Sequence, residues 1–181
     1  MKSALSFTMI AVLAVMLNTS TSQAQFRHGG NWLGPVLTLA TTPIGFGVQY
    51  EHGVSENVGI GGIIRYWGRS EDFFYGSVSW STIIPQFQAA YHFMPGDRLD
   101  PYAGGRLGYA IYSSSVEYKG PYSGNDWSDS SAGDIFLTAY GGLRYFFSPK
   151  IAGNGQLEFR VAGTDYFSSS IQLSVGVDFT I

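Results

Sequence analysis

The sequence predicts an all-β protein, an eight-stranded antiparallel up-and-down barrel. From Trp32 onward, apolar and polar residues alternate with a period of two, and helical spacing never takes over. The chain contains 24 glycines and 16% aromatic residues, and this enrichment together with many short alternating segments is typical of barrels and sandwiches. Pro, Gly, Asn and Asp stand where the chain must reverse direction.

Eight segments show the alternation and are predicted as the strands. In the last of them Ile171, Val175 and Phe179 are apolar at odd positions, whereas Ser174 and Asp178 stand at even ones. Because successive side chains of a strand point to opposite faces, such a segment has one apolar and one polar face. The predicted strands are residues 32–40, 44–52, 58–67, 78–93, 102–112, 135–147, 156–162 and 171–181. The predicted connections at one end are residues 41–43, 68–77, 113–132 and 163–169, with shorter turns at the other end.

The fourth predicted strand reverses its alternation part of the way along. Val78 and Trp80 are apolar at even positions, but Phe87 and Tyr91 are apolar at odd ones. A β-bulge shifts side-chain parity by one residue, and proline within a sheet is found at bulges or edges. Because Pro85 lies at the reversal, we expect a bulge at residues 83–85.

The first 24 residues have the pattern of a cleaved secretory signal. Lys2 supplies a positive charge, residues 4–17 form an apolar run, and Ser22-Gln23-Ala24 is a small-x-small cleavage pattern. The run is short for a membrane-spanning helix, which needs about 20 residues. We therefore expect a signal peptide over 1–24 and a barrel domain over 25–181.

Composition and charge exclude several classes of function. A formal net charge of −3 with no cluster of Lys and Arg makes nucleic acid an unsuitable partner. The absence of cysteine excludes disulfides, thiolate metal sites and a cysteine nucleophile. Neither a cofactor nor a metal is predicted. Asp126, Asp129 and Asp134 could bind Ca²⁺ weakly, but they lack EF-hand spacing and are better read as a solvated loop.

The composition of the two faces decides between a soluble and a membrane barrel. The polar face is lean, with Gly, Ser, Thr, Gln and single charges rather than the many Lys, Glu and Asp of a solvated sheet. Aromatic residues lie near strand ends on the apolar face, as in the girdles of membrane barrels. They are Tyr50, Tyr66, Tyr91, Phe93, Tyr145, Phe147 and Phe179. The pattern predicts a transmembrane β-barrel, with a soluble exported barrel as the alternative.

Three stretches resemble the small outer-membrane β-barrel proteins of Gram-negative bacteria, of the eight-stranded OmpA/OmpX type. PYAGGRLGYAIY (101–112) is similar to the fifth strand of that family, and AYGGLRYFFSPK (139–150) followed by LEFRVA is similar to its sixth-to-seventh hairpin. Gly176, Phe179 and Ile181 resemble the signal read by the barrel-assembly machinery, although the family more often ends in Phe. The resemblance implies the bacterial outer membrane as the location, with outer-membrane lipid, lipopolysaccharide and the assembly machinery as partners.

Single charged residues in mid-strand are expected to point into the barrel. An eight-stranded barrel has an interior just wide enough for side chains to fill, so inward charges must pair with each other. The predicted interior polar network comprises Glu51, Arg65, Arg106, Arg144, Glu158, Arg160 and Asp178. We expect a plugged polar core, with a gated narrow channel as the alternative.

The sequence predicts a non-enzyme that interacts through its loops. His28, His52 and His92 all lie toward the short-turn end, where no nucleophile–base pair can be assembled with them. Exposed aromatic residues on loops of a rigid scaffold are plausible recognition anchors. The loop candidates are Tyr118, Tyr122 and Trp127, with Phe73, Phe74 and Tyr75 in the other long connection. The predicted role is membrane integrity or surface interaction; the alternatives are a small porin-like channel and a lipid A-modifying barrel enzyme.

Overall fold

The computed structural model describes residues 26–39, 44–118, 127–131, 133–163 and 171–181. Ten strand segments make up the described chain: β1 (Asn31–Leu39), β2 (Ile44–Gly53), β3 (Val58–Phe73), β4 (Gly76–His92), β5 (Leu99–Tyr109), β6 (Ile111–Tyr118), β7 (Trp127–Ser131), β8 (Ile135–Ser148), β9 (Ile151–Ala162) and β10 (Ile171–Thr180). Among the described residues, no helix is long and apolar enough to cross a membrane. The predicted signal peptide lies outside the described residues.

The segments close into an eight-stranded antiparallel barrel, as predicted. The ring runs β1–β2–β3–β4–β5–β8–β9–β10 and closes where β10 pairs with β1. β6 continues the direction of β5 beyond Ala110, and β7 precedes β8 in the same way, so ten segments form eight barrel strands. Closure pairs the backbone of every barrel strand on both sides and leaves no sheet edge around the barrel.

Four strands continue beyond the barrel as a projecting sheet, called here the extension. It consists of residues 68–73 of β3, residues 76–82 of β4, the part of β6 beyond Ile111, and β7. The sequence prediction treated most of these residues as loops, and that prediction was wrong for β6, β7 and the ends of the β3–β4 hairpin. Apolar alternation marks only strands with one buried face, whereas backbone pairing in the extension continues without such a face.

The predicted bulge at residues 83–85 is also wrong. The register between β3 and β4 is unbroken from Val58 opposite Tyr91 to Phe73 opposite Gly76. The parity reversal arises because Val78 and Trp80 lie in the extension, where alternation no longer reports an inside and an outside. Register irregularities occur instead between β8 and β9, at Leu137/Thr138 and at Phe146/Ser148.

The polar face of each strand points inward and the apolar face outward. On β10, Gln172, Ser174 and Asp178 are buried, whereas Leu173 and Val175 remain 41% and 42% exposed. The core is therefore the barrel interior, and it consists of polar clusters between apolar layers.

Candidate functional site

An apolar layer closes the short-turn end of the barrel. Phe26, Trp32, Phe146 and Ala152 form one buried cluster, in which the rings of Phe26 and Trp32 stack with centroids 4.9 Å apart. The segment before β1 folds back over this mouth because the Gly29 N–H donates to the Gly53 carbonyl at 2.7 Å. Nothing in the period-two pattern marks Phe26 as an interior residue, and sequence reasoning missed it.

The first polar cluster lies directly inside that layer and is called the lower cluster. It contains Glu51, His92, Asp100, Arg144 and Asp178, all of them buried. Arg144 bridges two anions, since its Nη2 donates to Glu51 Oε2 at 2.5 Å and its Nε to Asp178 Oδ2 at 3.0 Å. Every charge in this cluster is therefore in contact with an opposite charge.

His92 is held between two carboxylates. Its Nδ1 lies 2.6 Å from Asp100 Oδ2 and its Nε2 lies 3.0 Å from Glu51 Oε1. Carboxylate oxygens accept hydrogen bonds and cannot donate them, so a ring between two carboxylates satisfies both contacts as an imidazolium, with both nitrogens donating. Its face stacks on Phe26 at a centroid distance of 3.6 Å, which joins this cation to the apolar layer.

A second polar cluster, the upper cluster, is centred on Glu158. Glu158 Oε2 accepts from Arg65 Nη2 at 2.8 Å and from Arg106 Nη1 at 2.5 Å. Gln86 bridges the same groups, accepting from Arg65 at 2.8 Å and donating to Glu158 Oε1 at 3.1 Å. The Arg106 guanidinium also lies over the ring of Tyr140, 3.8 Å from its centroid, which adds a cation–π contact.

Neutral amides connect the two clusters. Gln156 accepts from Arg106 Nη2 at 2.6 Å and donates to Gln49 at 3.3 Å, and Gln49 donates to Asp178 at 2.7 Å. The described buried ions balance, because Arg65, Arg106, Arg144 and the His92 imidazolium face Glu51, Asp100, Glu158 and Asp178. A balanced and hydrogen-bonded set is what a low-dielectric interior tolerates, since an isolated buried ion costs several kcal/mol.

A second apolar layer closes the end of the barrel from which the extension projects. Trp67, Ile84, Ala110 and Phe136 form a buried cluster with Tyr112 packed against it. The Phe136 ring crosses the interior over Gly108, where a Cβ atom would stand 2.4 Å from Phe136 Cζ. Among the described residues, side chains therefore occupy the interior from the Phe26 layer (the cluster of Phe26 and Trp32) through both polar clusters to the Trp67 layer (the cluster of Trp67 and Phe136).

The structure brings together six of the seven residues predicted for the interior network. Glu51, Asp178 and Arg144 lie in the lower cluster, and Arg65, Arg106 and Glu158 lie in the upper one. Arg160 is half-buried and stands opposite Thr138, next to a register shift.

Sequence reasoning missed His92 and Asp100 as members of the network. Their parity could have revealed them, because His92 shares even positions with Gln88, and Asp100 with Arg106. His92 was instead read as a strand-end residue.

The outward face forms an apolar belt bordered by aromatic side chains. Tyr91 and Phe93 contact each other edge to face at a centroid distance of 5.3 Å, and Tyr145 and Phe147 do so at 5.2 Å. All seven aromatic residues expected on this face are 37% exposed or more. Tyr66 lies at the border nearest the extension, and the other six lie toward the short-turn end.

Aromatic side chains also occupy the tip of the extension. Phe73, Phe74 and Tyr75 lie at the turn between β3 and β4, and Phe74 is 89% exposed. Phe73 contacts Tyr118 of β6 edge to face at 6.0 Å, so one predicted loop candidate supports the tip. Trp127 lies in β7, where the structure describes the backbone only. Tyr122 lies outside the described residues.

The predicted assembly residues lie along the seam of the barrel. Phe179 is opposite Leu33 of β1 and is 44% exposed. Gly176 is opposite Val36, and the Ile181 N–H donates to the Asn31 carbonyl at 3.1 Å. Within the described ranges no group of three or more His, Asp and Glu side chains could hold a metal ion. Of the Ca²⁺ candidates, Asp126 and the Asp129 side chain fall outside those ranges.

Comparison with known proteins identifies the family. A family model described as "Outer membrane protein beta-barrel domain" matches residues 5–179. No curated protein matches the chain.

Solved structures share the fold at low sequence identity. Ail of Yersinia pestis is 14% identical with a TM-score of 0.57, the match covering 85% of this chain and 99% of that one. OprG of Pseudomonas aeruginosa is 9% identical with a TM-score of 0.58, covering 88% and 99%. The β-barrel domain of OprF from the same species is 14% identical with a TM-score of 0.52, covering 85% and 98%. The chain therefore belongs to the outer-membrane β-barrel protein family, and its location is the bacterial outer membrane.

Proposed function

We propose that this protein spans the outer membrane as a closed, non-enzymatic barrel and acts in recognition at the cell surface through its extension. The apolar belt with its aromatic borders suits the lipid zone. In such barrels the short turns face the periplasm and the longer segments project outside, so we expect the extension to lie on the extracellular side. Tyr118 belongs to this proposed surface, and Tyr122 and Trp127 stay sequence-based candidates for it.

One observation carries the proposal: the aromatic tip stands on paired strands rather than on a loop. Phe74 is highly exposed, and the hairpin beneath it is already held by the β3–β4 and β4–β6 ladders. Binding through Phe74 should therefore cost little backbone conformational entropy. Rigid scaffolds that carry exposed aromatic residues suit protein recognition. A channel finds no comparable support, because the two apolar layers and two polar clusters occupy the described barrel interior.

Adhesion of cells that display the protein tests the proposal. A non-adherent Gram-negative host expressing the protein should bind to animal cells or extracellular-matrix proteins, and Phe74→Ser with Tyr75→Ser should reduce binding about tenfold, as loss of an aromatic hot spot does. Met94→Ser is the control, since Met94 is also exposed, at 47%, but lies at the opposite end. Equal binding by tip and control variants would contradict the proposal. A leakier outer membrane in a deletion strain, with adhesion unchanged, would favour a role in membrane integrity.

A further inference from the structure

The outward face of the extension carries a pocket in which six of the nine lining residues bear a hydroxyl group, called here the serine pocket. The pocket has a volume of about 410 Å³, and its lining comprises Tyr66, Ser70, Ser79, Ser81, Ser113 and Ser115 together with Gly68, Arg69 and Trp80. Ligand pockets commonly enclose about 300–1,000 Å³, so this volume is large enough for a small polar group. The proposed surface function leaves the pocket unassigned, because the aromatic tip lies further along the same hairpin.

The register shows how three strands build the pocket floor. Gly68, Ser81 and Ser113 stand opposite one another in one row. Ser70, Ser79 and Ser115 form the next row, two residues further along, and the hydroxyls of Ser70 and Ser79 are 2.8 Å apart. These small side chains leave a depression between two wider rows.

Tyr66 supplies the wall on the side of the apolar belt. Its hydroxyl lies above Gly68, where a Cβ atom would stand only 2.6 Å from the oxygen. Glycine at position 68 therefore lets the ring of Tyr66 tilt along the strand and bring its hydroxyl to the pocket. An aromatic face with a polar edge and a floor of hydroxyls suits a sugar ring.

The pocket begins where the apolar belt ends. Tyr66, Ile83 and Ile111 form the last apolar row, and the two serine rows follow immediately. At about 3.3 Å per residue, these rows lie roughly 7 and 13 Å further along the strands. The polar headgroup zone of a bilayer adds about 5–7 Å on each side of the hydrocarbon core, and strand tilt shortens the vertical distance. The serine pocket therefore lies at the height of lipid headgroups.

The charges around the pocket favour a neutral ligand group over a phosphate. The row beyond the serines carries Asp72 and Glu117 on the same face, both exposed, with Ser77 between them. Arg69 borders the pocket but is paired with Glu71. Hydroxyl groups both donate and accept hydrogen bonds, as sugar hydroxyls do.

We propose that the serine pocket binds the neutral sugar portion of a glycolipid in the outer leaflet of the membrane that holds the barrel. The height of the pocket, its hydroxyl lining and the acidic row above it together select this ligand. The site would hold the sugar beside the barrel wall while the acyl chains of the same lipid cover the belt below.

Glycolipid retention by matched serine variants tests the proposal. The full-length protein and the variants Ser113→Leu, Ser115→Leu and Ser114→Leu are purified from outer membranes in mild detergent, and bound lipopolysaccharide carrying core sugars is counted by mass spectrometry. Ser114 is the control because it lies between the two pocket serines on the opposite face of β6. Heat-modifiable migration on gels verifies that each variant is folded.

We expect about tenfold loss of retained lipopolysaccharide for Ser113→Leu and Ser115→Leu, since each removes hydroxyl contacts and fills the pocket. Ser114→Leu should retain lipopolysaccharide as the unaltered protein does, and phospholipid retention should be unchanged in all. Equal lipopolysaccharide retention by all variants would overturn the proposal. Binding of soluble core oligosaccharide without retention of the glycolipid would also overturn it, by showing a soluble sugar as the ligand. Adhesion plays no part in these readouts, so failure here leaves the proposed surface function standing.

Discussion

Glu158 illustrates at the residue scale how a narrow barrel keeps charges inside. The Glu158 carboxylate accepts hydrogen bonds from Arg65, Arg106 and Gln86, and both guanidinium groups are almost fully buried. Burying ions costs several kcal/mol each unless the partners and hydrogen bonds are complete. The Glu158 carboxylate therefore stabilises the fold by compensating the charges of Arg65 and Arg106. Removing its negative charge leaves these two buried cations without compensation.

Replacing Glu158 by glutamine should lower the free energy of unfolding by about 3–5 kcal/mol, the usual cost of breaking a buried ion pair. Equilibrium unfolding by urea in detergent micelles or lipid vesicles measures the change. Glu71→Gln is the matched control, because Glu71 pairs with Arg69 at an exposed site, where an ion pair contributes about 0–1 kcal/mol. Equal destabilisation by both substitutions would show that the upper cluster is not held by the Glu158 charge.

At the scale of the strand, small residues determine which side chains can cross the interior. β5 alternates Tyr102 and Arg106 with glycine on its inward face, and Gly108 leaves the space that the Phe136 ring occupies. Gly105 of the same strand points outward, and a Cβ there would meet only the Thr138 carbonyl at 3.7 Å. An added methyl group should therefore change the stability of the barrel differently at Gly108 and at Gly105.

Gly108→Ala should destabilise the barrel by about 1–3 kcal/mol, because the added methyl overlaps the Phe136 ring and forces the apolar layer to repack. Gly105→Ala should be neutral or stabilise by up to about 1 kcal/mol, since it restricts the unfolded chain at a site with room for a methyl. The same urea titration compares the two variants. A Gly108→Ala protein as stable as the Gly105→Ala protein would show that the Trp67 layer can repack around the added methyl without loss of stability.

At the scale of the whole molecule, the barrel interior and the extension are distinct parts: side chains occupy the interior, and the extension projects from one end. The Phe26 and Trp67 layers close the two ends, and the polar clusters fill the space between them. Eight strands leave an interior that side chains can fill, whereas larger barrels leave aqueous channels. The described interior, filled by side chains, matches a narrow barrel of this size.

Planar-bilayer recordings of the purified protein should show no large, stable conductance, because side chains occupy the cross-section at each level. A larger barrel with a known open pore, prepared in the same detergent, is the positive control. A stable conductance from the folded protein would contradict the filled interior and favour the channel alternative.

The sequence by itself determined the closed barrel and its inward and outward faces, and it singled out the charged residues that form most of the two polar clusters. Those features depend on period-two alternation, which is local to each strand and reports which face is polar. The sequence did not reveal the position of Arg160 along the barrel axis, the extension, or the unbroken register through Pro85. These features depend on which strands pair and in which register. In the extension, successive side chains still alternate between two faces, but apolar and polar residues no longer separate between them.

Only the tertiary structure decided how the charges combine. Glu51 and Arg144 are far apart in sequence, and their contact arises because barrel closure brings β2 across from β8. The stacking of Phe26 on His92 and the serine pocket have the same origin, since each joins residues from segments that meet only after the strands pair. Alternation specifies a face, but the partner across a closed barrel is set by strand register and closure.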